Sequence, residues 1–306
     1  MTLLRFFGLM LLGGCISLLA DRQPTALAQP APEAKPAKPG LWTLDKGLAQ
    51  PESAYFEPTT QAIYVSNIQG KPTDKDGRGY ISKVSPDGKM LAEKWVEGLN
   101  APKGMRSYNK TLYVTDIDAL VSIDLPTGKI LKRLEIPGAE LLNDLSIDSD
   151  GRVYISDTFA SKIFIVEDGK PSVWLNETQV AHPNGILVHD QELVVASWGE
   201  GMDTKTWAIK QPGKLVTYDL KSKEKTELTK QPLGNLDGLE NDGSGGYYVT
   251  DHVAGLVYHV QADGAANAIL GGFKGPADIG MIDGKSVILV PRMGEDKLTA
   301  YDLEQL

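Results

Sequence analysis

The stretch Val153-Tyr154-Ile155-Ser156-Asp157 decides the fold, because it is one copy of a phrase that recurs along the chain. Leu112-Tyr113-Val114-Thr115-Asp116 and Tyr247-Tyr248-Val249-Thr250-Asp251 repeat it closely, and Ile63-Tyr64-Val65-Ser66-Asn67, Leu193-Val194-Val195-Ala196-Ser197 and Val287-Ile288-Leu289-Val290-Pro291 more loosely. Branched and aromatic residues in runs of this length read as strands. A second strand follows each copy, at 81–85, 120–124, 162–166, 215–219, 256–260 and 298–302. Several of these end in hairpin turns such as Pro86-Asp87-Gly88, Pro126-Thr127-Gly128 and Ala262-Asp263-Gly264.

Working outward, each copy is preceded by an alternating strand, and the starts of these units align at Glu52, Lys103, Asn143, Asn184, Asp237 and Ala277. The spacings are 51, 40, 41, 53 and 40 residues. Units of this length with four short strands are propeller blades. The predicted fold is therefore an all-β, six-bladed β-propeller over 41–306. The last unit lacks a fourth strand, and Leu41-Trp42-Thr43-Leu44-Asp45 resembles the fourth strands around Trp95 and Trp174, so an N-terminal strand is expected to close the ring. The two long spacings mark insertions at 69–78 and 200–210.

Composition agrees. The 306 residues include 32 Gly and 11 Tyr against six Phe, a turn-rich balance that helical proteins rarely show. A net charge of −9 argues against a nucleic-acid surface, which is normally basic, and leaves a small-molecule substrate as the expected partner.

Residues 1–28 read as an export signal, with Arg5, an apolar run at 6–20 and Ala26-Leu27-Ala28 before Gln29. The apolar run is too short for a comfortable membrane span, so no stable span is expected after cleavage. Residues 29–40 form a Pro/Ala/Lys tether, and the expected location is the periplasm or outside the cell. The only cysteine, Cys15, lies in the leader; Leu12-Gly13-Gly14-Cys15 also has the form of a lipoprotein signal, the alternative reading. Oligomeric state is not legible.

In a propeller the first strand of each blade lines the central channel, so the aligned starts form a ring at one mouth. Two carboxylates, Glu52 and Asp237, and two amides, Asn143 and Asn184, meet there. Hard oxygens with two negative charges suit Ca²⁺ first and Mg²⁺ or Mn²⁺ next; zinc, the remaining option, normally takes nitrogen or sulfur. Taken singly, each Asn or Asp also reads as a turn cap. Second strands return to the same mouth, so Asn67, Asp116, Asp157, Trp198, His252 and Arg292 are candidates to line a substrate pocket, the Asp residues with turn capping as their other reading. Trp198 is placed to stack on a ring and Arg292 to hold an anion; His252 has no visible orienting partner. Lys103 either faces substrate or pairs with Glu52 or Asp237. Asp74-Lys75-Asp76-Gly77 reads as a solvated turn, because a calcium loop would need Glu where Ser85 stands.

Pro51-Glu52-Ser53-Ala54-Tyr55, Asn143-Asp144-Leu145-Ser146-Ile147-Asp148, Pro183-Asn184-Gly185-Ile186 and Leu236-Asp237-Gly238-Leu239 together resemble the senescence-marker-protein/gluconolactonase/luciferin-regenerating-enzyme family of six-bladed propellers. The resemblance implies one divalent metal, usually calcium, held by Glu52, Asn143, Asn184 and Asp237, and hydrolysis of sugar-type lactones. It implies that Asp237 serves as the catalytic base, with direct nucleophilic attack kept open. Two other readings remain: an organophosphate or aryl-ester hydrolase on the same metal site, and a propeller that binds a ligand or protein without catalysis.

Overall fold

The computed structural model describes residues 39–306. The expected export signal, Cys15 and nearly all of the tether lie outside the described residues. The remainder is a six-bladed β-propeller with four antiparallel strands in every blade. Blade 1 comprises Pro51–Glu57, Ala62–Asn67, Gly79–Val84 and Met90–Leu99, and blade 2 Pro102–Tyr108, Thr111–Asp116, Ala119–Asp124 and Ile130–Glu135. Blade 3 comprises Leu142–Ile147, Val153–Asp157, Lys162–Glu167 and Lys170–Leu175. Blade 4 comprises Pro183–His189, Glu192–Ser197, Leu215–Asp219 and Lys225–Glu227, and blade 5 Leu236–Asn241, Tyr247–Asp251, Leu256–Val260 and Ala266–Gly271. Blade 6 joins Gly280–Ile282, Val287–Arg292 and Lys297–Asp302 to Trp42–Leu44.

The middle strands are nearly all apolar because both of their faces are buried. Side chains alternate across a strand, and here the two sets feed different cores. Ile63 and Val65 pack toward blade 6, whereas Ala62 and Tyr64 pack toward blade 2. Val153, Ile155 and Phe164 likewise share one core, and Tyr154 and Ile163 the next. The recurring tyrosine fills the wedge between blades: Tyr64 packs on Trp95 with ring centroids 4.7 Å apart, and Tyr154 on Trp174 at 5.2 Å.

The ring closes at its rim and at its axis. Trp42–Leu44 pairs antiparallel with Lys297–Asp302, in the register Trp42 opposite Ala300. Around the channel, Ala54 N donates to Asp278 O (3.2 Å) and Asp278 N to Glu52 O (2.8 Å). These contacts tie the first blade to the last and leave no open sheet edge between them. Among the described residues no helix is long and apolar enough to cross a membrane.

Candidate functional site

Five of the six first strands break register at the same place. Pairing with the second strand skips from Pro51 to Ala54, Pro102 to Met105, Leu142 to Leu145, Pro183 to Ile186 and Leu236 to Leu239. A bulge re-aims side chains that strict alternation would fix. The first residue of each bulge is the ring residue: Glu52, Lys103, Asn143, Asn184 and Asp237. All five are buried, and all five line one cavity of about 340 Å³. Ala277, the sixth ring position, is fully buried and absent from that lining.

Three of the next residues are glycines because neighbouring strands crowd the axis. A Cβ on Gly185 would overlap the backbone carbonyl of Asp237, and one on Gly238 would overlap the backbone of Asp278 and Ile279. Gly185→Ala should therefore cost about 1–3 kcal/mol, the usual range for overpacking. It should also displace Asp237. Urea denaturation checks the first effect; Gly243→Ala, where the added Cβ meets nothing within 4 Å but φ is 75°, measures backbone strain without crowding. Wild-type stability of Gly185→Ala would contradict the crowding argument.

Hydroxyls on the second strands hold the ring in place. Ser156 Oγ accepts from Asp144 N (2.9 Å) and donates to Asn184 O (2.6 Å). Thr250 Oγ1 accepts from Gly238 N (2.8 Å) and donates to Ala277 O (3.0 Å). Thr115 Oγ1 donates to Asn143 O, and Ser66 Oγ accepts from Ser53 N (3.0 Å). In four of the six blades a small polar residue thus acts on the ring: three of them fix the bulge of their own blade and three hold the ring backbone of the next. The recurring Ser or Thr before the final Asp or Asn was the sequence signal for this.

At the cavity floor Glu52 Oε2, Asn184 Oδ1 and Asp237 Oδ1 are buried with no hydrogen-bond partner among the described residues. Unpaired buried oxygens are costly, and three in one cavity fit a hard cation. Among the described residues no three His, Cys, Asp or Glu side chains cluster as a metal site, and a cation here would need the mixed set of two carboxylates and two amides. Burial, then Asp237 and Asp278, pushes the Glu52 pKa well above the usual carboxylate range, with Lys103 opposing. Burial lowers the Lys103 pKa, against the pull of Glu52. Lys103 Nζ donates to Ala101 O (2.9 Å) and Pro72 O (3.1 Å) and forms no ion pair with Glu52 or Asp237.

His252 has the partner that sequence reading did not see. Its Nδ1 lies 3.2 Å from Asp237 Oδ2, an ion-pair distance, although the angle falls short of a hydrogen bond. Burial works against the His252 charge, but Asp237 outweighs it and the pKa is raised. Strand register gives no signal of this contact, since the pairing of Leu236 with Asp251 puts Asn235 opposite His252, and Asp237 lies in the bulge that follows. Trp198 also lines the cavity, with its ring centroid 5.6 Å from that of His252. Arg292 does not: Glu295 holds it through Nε (2.6 Å) and Nη2 (2.5 Å), and Phe273 lies under its guanidinium.

Asn67, Asp116 and Asp157 likewise lie outside the lining. Asp157 caps the amides of Glu140, Leu141 and Ala160, and Asp116 those of Asn100 and Ala101. Asn67 Oδ1 accepts from Ala49 N at 3.0 Å. The walls come from elsewhere. Ile68 and Pro72 arrive on the segment around the blade 1 insertion, Trp207 on the blade 4 insertion, Val253 from a turn and Met293 from a short 3-10 helix. Below the floor, Arg106 sits in the channel among Glu240 (3.2 Å), Asp278 (4.0 Å) and Asp144.

No family model matches the sequence, and no curated protein does. Solved structures do. The chain is similar to a chain of the nidogen/laminin complex, at 14% identity and TM-score 0.57 over 75% of this chain and 92% of that one. It is similar to a catalytically inactive histidine-to-alanine variant of virginiamycin B lyase from Staphylococcus aureus with quinupristin, at 16% identity and TM-score 0.57 over 85% and 97%. Streptogramin B lyase matches at 12% identity and TM-score 0.59 over 85% and 96%. The likeness shows the propeller fold. At these identities it carries no activity with it.

Proposed function

We propose that the protein is an exported, metal-dependent hydrolase that opens an ester or lactone bond. The observation that carries this reading is the set of unpartnered buried oxygens on Glu52, Asn184 and Asp237, facing a cavity of substrate size. Glu52, Asn143, Asn184 and Asp237 would hold the cation, calcium before magnesium or manganese. Bound there, it would supply Lewis-acid polarisation of the scissile carbonyl. The chain's own residues do the rest. Asp237, directly or through His252, takes the proton of the attacking water. Trp198 and the facing walls exclude bulk water, which strengthens every charge interaction inside.

Calcium should stabilise the folded protein by mass action, by about 2.7 kcal/mol at 100 times its dissociation constant. At about 2 °C per kcal/mol for a domain of this size, Tm should rise by about 5 °C. Scanning calorimetry of the protein before and after chelation measures it. Absence of both a shift and a bound ion would remove the metal from the proposal.

The Asp237–His252 pair favours a second reading, in which His252 withdraws a proton in an elimination. The virginiamycin B lyase above is described as inactive when one histidine is replaced, which makes this worth separating. Product mass does so: hydrolysis adds the mass of water and elimination does not.

A further inference from the structure

The cavity is two-faced. Part of its lining is the ring of oxygens, and another part is an apolar wall of Ile68, Pro72, Trp198, Trp207, Val253 and Met293. Trp198 spends its Nε1 on Trp207 O at 3.3 Å. The two indoles meet at 5.5 Å between centroids, and Phe159 backs Trp207 at 4.8 Å. Trp207 itself sits at φ 62°, a conformation that a bulky residue rarely adopts. The turn from Asp203 imposes it, with Trp207 N donating to Asp203 O at 2.7 Å, and so holds the ring in the wall. Of the remaining polar lining, Lys103 has two of its three donors committed to carbonyls, and His252 turns Nδ1 to Asp237.

A polyhydroxylated ring entering here would leave hydroxyls against that wall without partners, which is costly. A ring with an apolar tail would set its carbonyl on the floor and its tail on the indoles. We propose that the substrate is a compact lactone or ester bearing an alkyl or aryl substituent, and not a sugar lactone. This rests on the hydrolase reading for the reaction, but on the wall alone for the substituent.

The test compares calcium-loaded protein on glucono-δ-lactone and on δ-lactones with no, methyl, propyl and pentyl side chains. The expected result is a rise in kcat/KM of about threefold to fourfold per methylene, the fold-change of about 0.8 kcal/mol. Glucono-δ-lactone should fall at least about tenfold below the propyl compound. Calorimetric titration with the matching δ-lactams, whose amide bond resists opening, reads binding without turnover. Trp207→Ala should flatten both slopes. Val253→Asp, at an exposed rim position, should do the same without burdening the fold. Fast turnover of glucono-δ-lactone with a flat alkyl series overturns the substrate class and leaves the hydrolase reading standing. Lactam affinity that climbs with chain length while no lactone is opened upholds the apolar wall and overturns hydrolysis. A flat series in both measurements overturns the proposal.

Discussion

Asp237→Asn should lower turnover by at least about 100-fold, the low end for losing a general base, while the protein stays folded. The substitution keeps size and one oxygen donor. It removes a negative charge from the floor and the anionic partner of His252 Nδ1, 3.2 Å away. Six blades share the core, so one side chain at the mouth of the channel contributes little to global stability. Asn184→Ala should behave differently. It removes a neutral oxygen that has no other partner, so calcium affinity should fall and activity should return at high calcium. Steady-state kinetics at several calcium concentrations separates the two. His252→Gln then assigns the proton: a loss equal to that of Asp237→Asn makes the pair one unit, and a small loss leaves Asp237 acting alone. Full activity of Asp237→Asn at saturating calcium would falsify the role given to it.

The blades and the ring were legible because they repeat. Six aligned starts fixed the register, and the observed second strands differ from the expected ones by a residue at most at either end. Apart from Trp198, the pocket walls were not legible, for a physical reason: Pro72 and Trp207 lie in insertions with no counterpart in other blades, so nothing in the repeat says where they fold. Arg292 illustrates the limit of topology. Its strand does return to the correct mouth, but Glu295, three residues on, takes its guanidinium. The channel interior was hidden by the bulges. Alternation counted from Asn143 assigns Asp144 to the opposite face of the strand, yet the bulge leaves it buried, with its oxygens on the amides of Leu145 (2.7 Å) and Ile186 (2.9 Å).

That interior carries the second large effect. Asp144, Asp278 and Glu240 gather around the single guanidinium of Arg106, so two buried acids and one partly buried acid share one counter-charge. Burial pushes Glu240 up to about 7; Arg106 opposes, and Asp278 and Asp283 add to the rise. An unfolded chain releases this proton near pH 4.5, and the native protein holds it until about pH 7. Between those values the native state binds more protons, so stability falls as pH rises, and the contribution is intact only below the lower one. Glu240→Gln keeps an oxygen for Arg106 Nη2 and removes the titration. Relative to wild type, the variant should gain on the order of 3 kcal/mol between pH 4.5 and 8, at 1.36 kcal/mol per pH unit. Arg106 keeps Asp278 at 4.0 Å and its own donation to Met105 O, so the variant is not left with an unpaired buried cation. Urea denaturation of both proteins across that range gives the difference directly. Parallel stability curves would mean that Glu240 is already ionised at pH 5 and that Arg106 alone balances the channel.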